Sequence, residues 1–119
     1  MSEEFVKLAT DEINQAIAEM EKTFSSCVDD ETTLSKSNLF QKESHKIKGL
    51  APMMGQEELG AFAAILDSVL KRLSDGQTTS DAKNLLETSI SSMKKCMDEP
   101  ATDLTELKTR TSQILESLN

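Results

Sequence analysis

Residues 36–53 read KSNLFQKESHKIKGLAPM, and the rest of the chain is best read outward from this stretch. When each residue is advanced by about 100°, Phe40, Ser44, Ile47, Ala51 and Met54 fall near one meridian, the signature of a helix with one buried face. On the same wheel His45, the only histidine of the chain, lies roughly 140° from Phe40, beside Gln41, Lys48 and Pro52. It belongs on the flank of the helix, outside the core. Pro52 has no N–H for the carbonyl of Lys48 and its ring crowds that carbonyl, so the last turn is expected to kink or loosen. Gly55 then permits a tight reversal into a second helix.

The flanking sequence repeats this pattern. A first segment from Ser2 to Val28 carries Phe5, Leu8, Ile13, Ala16, Ile17, Met20, Phe24 and Cys27 as its apolar stripe, with Glu3 and Glu4 suited to the positive end of the helix dipole. The polar run Asp29-Asp30-Glu31-Thr32-Thr33 reads as a loop. Gln56 to Leu73 places Leu59, Phe62, Ala63, Leu66, Val69, Leu70 and Leu73 on one face, with a second strip of Gly60, Ala64 and Asp67, and stops at Ser74-Asp75-Gly76. Thr79 to Met97 follows, with Thr78 and Asp81 resembling a capping box. A last segment begins after Pro100, with Leu104, Leu107, Ile114, Leu115 and Leu118 inward. Short connections imply antiparallel neighbours. The expected fold is all-α: an antiparallel up-and-down four-helix bundle plus a fifth C-terminal helix, residues 1–119 forming a single domain.

Composition narrows the function. The chain has 119 residues, 13 Lys and Arg against 21 Asp and Glu, and a formal net charge of −8. Nucleic acid is a poor partner for such a surface, because phosphate neutralisation needs clustered cations. No apolar run approaches the roughly 20 residues of a membrane span, and the N-terminal residues lack the basic start and apolar centre of a signal peptide. A cytoplasmic location is expected. Cys27 and Cys96 form no C-x-x-C pair, so they read as free, buried thiols, and no metal motif is present. The narrow apolar stripes are used up by a bundle, which points to a monomer.

The chemistry falls on His45. Residues three and four apart on a helix are neighbours, so Lys48 and Gly49 set a cation and a gap in the side-chain wall beside the imidazole. A neutral imidazole with one unprotonated nitrogen is a competent nucleophile, and Lys48 offers a point charge to the oxygens of a phosphoryl group. Asp67 has two readings at this stage, a solvated surface acid or a carboxylate backing the ring. Exposed Gln41, Lys42, Lys46 and Gln56, with Lys48, are candidates for a partner-docking surface by wheel position.

The motif His45-x-x-Lys48-Gly49, with Gly55 beyond it and an amphipathic helix following, resembles the histidine phosphotransfer (HPt) family. The long first helix and the Leu73-x-x-Gly76 stop look most like the N-terminal phosphotransfer domain of CheA-type chemotaxis kinases. The likeness spans residues 3 to 118 in helix order, and its specific part is residues 45–55. It implies that His45 accepts a phosphoryl group on its outward nitrogen, that Lys48 lies beside the bound phosphate and that Gly49 leaves room for it. Asp67 stands where CheA-type domains place a longer glutamate that hydrogen-bonds the inner ring nitrogen. Ala64 replaces a second histidine common there, and Pro52 replaces a glycine or small residue.

The resemblance also implies the partners. The chain has no glycine-rich nucleotide loop and no acidic cluster for Mg²⁺ beside a phosphate site. No cofactor is intrinsic. A histidine kinase catalytic domain would supply ATP, and a response-regulator receiver, with its own Mg²⁺, would take the phosphoryl group onto an aspartate. The chain would then be a carrier in two-component signalling and no enzyme by itself, either free-standing or part of a longer kinase. The alternative is an HPt-like interaction bundle that docks a receiver or kinase without carrying phosphate.

Overall fold

In a computed structural model, which describes residues 2–118, six helices form a bundle: α1 Glu3–Phe24, α2 Asp30–Ser35, α3 Ser37–Met53, α4 Glu57–Ser74, α5 Ala82–Asp98 and α6 Thr105–Ser117. No strand occurs among the described residues. The all-helical fold expected from the apolar stripes is observed. The helix count is one higher than expected.

The extra helix is α2, which occupies the stretch read above as a loop. Asp29 caps it reciprocally: its Oδ1 accepts from the Thr32 N–H at 2.8 Å, and Thr32 Oγ1 accepts from the Asp29 N–H at 3.0 Å. Six residues are too few to show a helical period, so this element rests on capping chemistry instead. The helix α2 also reaches across to α5. Asp30 Oδ1 accepts from the backbone N–H of Lys83 at 2.9 Å, in the first turn of α5. The capping box expected at Thr78 and Asp81 does not form. Asp81 precedes α5 in the left-handed region (φ 59°) and makes no side-chain cap, so Asp30 supplies an acceptor that the local sequence does not.

The core is one contiguous cluster drawn mainly from α1, α3, α4 and α5, with Phe40, Phe62, Ile13, Met20, Ile47, Leu66, Leu70, Leu85 and Met93 fully buried. Cys27 and Cys96 are free and buried within it. Burial of a leucine- or phenylalanine-sized side chain contributes about 1.5–3 kcal/mol each. Leu8, placed on the apolar stripe of the first segment, is 62% exposed. The five-residue step from Leu8 to Ile13 turns it roughly 140° away from the face formed by Ala9, Ile13, Ala16, Ile17 and Met20.

The most extensive packing is between α3 and α4; α1 lies against α3 and α5, and α6 against α4. The α3–α4 hairpin closes through a Schellman end. The Gln56 N–H donates to the Ala51 carbonyl at 2.8 Å and the Gly55 N–H to that of Pro52 at 3.1 Å, with Gly55 at φ 90°. The same arrangement ends α4: Gln77 donates to Arg72 and Gly76, at φ 101°, to Leu73. Pro52 does not end α3, which continues to Met53. Lys108 of α6 pairs with Glu58 of α4, and the Arg72 guanidinium donates to the Leu118 carbonyl at 3.1 Å, so α6 is tied to both ends of α4.

Candidate functional site

The helix α3 presents Gln41, His45 and Lys48 on one stripe, at successive turns, and all three converge on Asp67 of α4. Gln41 Nε2 donates to Asp67 Oδ1 at 2.7 Å. His45 Nδ1 lies 3.4 Å from Asp67 Oδ2, and Lys48 Nζ lies 3.6 Å from the same oxygen. The Asp67 side chain is only 8% exposed, against 66% for His45 and 45% for Lys48. A carboxylate that deep needs partners, because burying an unpaired charge costs several kcal/mol. It finds all three of them on the facing helix.

Of the two sequence readings of Asp67, the solvated surface acid is therefore corrected: the residue is buried. Its shorter side chain still comes within reach of the ring, although 3.4 Å is longer than the usual range for such a contact, about 2.7–3.2 Å. An ionised carboxylate only accepts hydrogen bonds, so this contact favours the tautomer in which the ring nitrogen facing it is protonated. The Nδ1–H tautomer leaves the lone pair on Nε2, at the opposite edge of a largely exposed ring.

Gln41, grouped above with the exposed docking residues, is half-buried and spends its amide on Asp67. Lys46 is also half-buried, its ammonium 3.7 Å from Glu43 on the side of α3 away from His45. Lys42 is exposed and lines a shallow groove between α1 and α3 with Lys22, Lys36, Leu39 and Glu43. Gln56 is half-buried at the hairpin turn, where its N–H closes α3. The expected docking residues are thus spread over different functions and different sides of the helix.

Two glycines complete the geometry. A Cβ built at Gly49 meets nothing within 4 Å, so this position opens onto solvent beside the imidazole. A Cβ at Gly60 would lie 2.4 Å from Cγ and 2.6 Å from Cδ of Pro52, so this glycine is filled by the proline ring of the facing helix. Sequence reasoning did not single out this contact, nor Met53, which is 58% exposed and adds an apolar side chain to the outer surface of α3. The wheel carried a signal for Met53, which lies roughly 80° from His45.

No cluster of three or more His, Cys, Asp or Glu that would hold a metal ion occurs among the described residues. Among the described residues no helix is long and apolar enough to cross a membrane. No family model, curated protein or solved structure matches the chain.

Proposed function

We propose that the chain is a phosphohistidine carrier of two-component signalling, with His45 as the phosphoacceptor. The observation that supports this reading most is the placement of the ring: Nδ1 faces a buried carboxylate while the His45 side chain as a whole is 66% exposed. Nothing in the packing requires Gly49 beside it.

In the forward step the Nε2 lone pair attacks the γ-phosphorus of ATP held by a kinase catalytic domain. The N–P bond forms as the bond to the bridging oxygen breaks, and ADP leaves with that electron pair. Asp67 holds the Nδ1 proton and stabilises the positive charge that develops on the ring, as carboxylates do for other histidine nucleophiles and ligands. Lys48, within reach of both Asp67 and the ring's open side, supplies positive charge to the phosphoryl oxygens. In the return step an aspartate oxygen of a receiver domain attacks phosphorus and the N–P bond breaks, returning the electron pair to Nε2. ATP and Mg²⁺ belong to the partner domains, and the absence of a Cβ at Gly49 gives the incoming group clearance.

The test is incubation with the catalytic core of a CheA-type kinase and labelled ATP, with His45→Gln as control. The expected product is acid-labile, base-stable label that is absent from the variant. No label from several competent cores, with the helical fold intact, would sink the carrier reading in favour of the interaction-only bundle.

A further inference from the structure

Pro52 and Gly60 touch across the same seam as His45 and Asp67. Pro52 lies seven residues after His45 on α3, and Gly60 seven residues before Asp67 on α4. In an antiparallel pair these two contacts therefore share one register, two helical turns or about 10 Å apart along the seam. Between them the α4 side of the seam carries small residues, Ala64, which is half-buried, and beside it Ala63, which is fully buried. The separation of the two helices along this strip is thus set at one end by a proline ring seated against a bare glycine backbone. At the other end it is read out by the 3.4 Å gap from Nδ1 to the carboxylate.

We infer that Pro52 and Gly60 are a matched pair of positioning residues that hold α4 close enough to α3 for Asp67 to fix the tautomer of His45. Ordinary carbon–carbon contact needs about 3.5–4.0 Å, whereas a Cβ at position 60 would approach the ring to 2.4 Å. A pyrrolidine ring is closed on its own backbone and cannot swing aside as a long side chain can, so the helices must part. The His45–Asp67 contact has no slack to absorb that movement, being already at the long end of hydrogen-bond distance. The carboxylate would then lose the ring while keeping Gln41, whose 2.7 Å bond is shorter and whose side chain is longer. This pairing also accounts for a proline inside α3, at a position where the resemblance to CheA-type domains leads one to expect a small residue: the small residue is on the opposite helix.

This inference deepens the carrier reading and rests on it for its consequence, but its first readout does not depend on phosphate. His45 is the only histidine, so ring-nitrogen NMR of the neutral imidazole reports its tautomer without assignment ambiguity. The wild-type ring is expected to be mainly the Nδ1–H form. Gly60→Ala is expected to keep its helicity and to lose that bias to the level of Asp67→Ala, with phosphoryl acceptance slowed by the same factor. In Pro52→Ala/Gly60→Ala the ring atoms Cγ and Cδ are gone and the nearest remaining contact is the backbone nitrogen at 3.3 Å. That double variant is expected to regain the wild-type tautomer and rate.

A folded Gly60→Ala with the wild-type tautomer, or a double variant that behaves like Gly60→Ala, would overturn the inference. Where Gly60→Ala does not fold, the double variant carries the test alone: recovery of fold and tautomer supports the pairing, and failure to recover either overturns it. Absence of label from the wild-type protein would refute the carrier reading and leave the tautomer result standing.

Discussion

The outer surface of α3 at Gly49 and the α3–α4 seam at Gly60 each carry a glycine inside a helix, where glycine costs about 1 kcal/mol relative to alanine. At Gly60 the fold itself accounts for the residue, because the Pro52 ring occupies the space a Cβ would take. At Gly49 the fold does not account for it: a Cβ there meets nothing within 4 Å. On the carrier reading proposed above, Gly49 is the clearance for the incoming phosphoryl group. The comparison separates two roles that one letter of sequence hides, a spacer in the seam and a clearance on the surface.

The sharpest way to break this comparison is to remove His45, the group that both glycines are proposed to serve. His45→Gln is expected to abolish phosphoryl acceptance altogether while leaving thermal unfolding near wild type, since the side chain is largely exposed. Label on the variant, or a collapse of the fold, would show that the outer surface is not organised around the ring. Asp67→Ala comes next. Removing the carboxylate proposed to orient the ring is expected to slow acceptance about 10–100-fold, the usual cost of losing such a partner, with some loss of stability because half-buried Gln41 loses its 2.7 Å acceptor while His45 and Lys48 can turn to water. A rate within twofold of wild type would mean that the seam does not communicate with the ring.

Smaller effects then separate the two glycines by sign. Gly60→Ala gains helix propensity of about 1 kcal/mol but meets an overpacking cost of about 1–3 kcal/mol, so urea unfolding should show a net loss. Gly49→Ala has only the propensity term and is expected to gain up to about 1 kcal/mol, while phosphoryl acceptance slows severalfold because the clearance is partly filled. Equal signs at the two positions would remove the distinction between spacer and clearance.

The smallest effect lies far from both. Hydrogen bonds from the Thr32 side chain, and then its backbone, hold the Asp29 carboxyl below the usual aspartate range. Its contribution to stability is present above that range and is lost as the pH falls through the lowered value. Asp29→Ala should therefore weaken the acid dependence of unfolding at that end of the pH scale without touching the tautomer of His45. A change at His45 would show that α2 is coupled to the site.

Much of this molecule can be read in its residues. The five long segments, the two glycine stops and the placement of His45 on a flank all follow from periodicity, because a helix maps sequence spacing onto angle without help from its neighbours. Where the reading failed, the period was either absent or broken. The helix α2 is too short to have one, and Leu8 was carried along a stripe that a five-residue step had already left. The capping of α5 failed for a different reason: the acceptor, Asp30, is 53 residues upstream of Lys83, and no local window contains both.

The candidate site divides along the same line. His45, Lys48 and Gly49 are adjacent on one helix, so their grouping is a property of the chain alone. That Gln41 joins them around Asp67, that Asp67 is buried, and that Pro52 seats against Gly60 are facts about two helices at once. They depend on the depth and register at which α4 lies on α3, which the Schellman turn at Gly55 and the shared core establish together. Spacing along one helix is a local geometric rule, whereas the gap between two helices is set by whichever side chains meet in it.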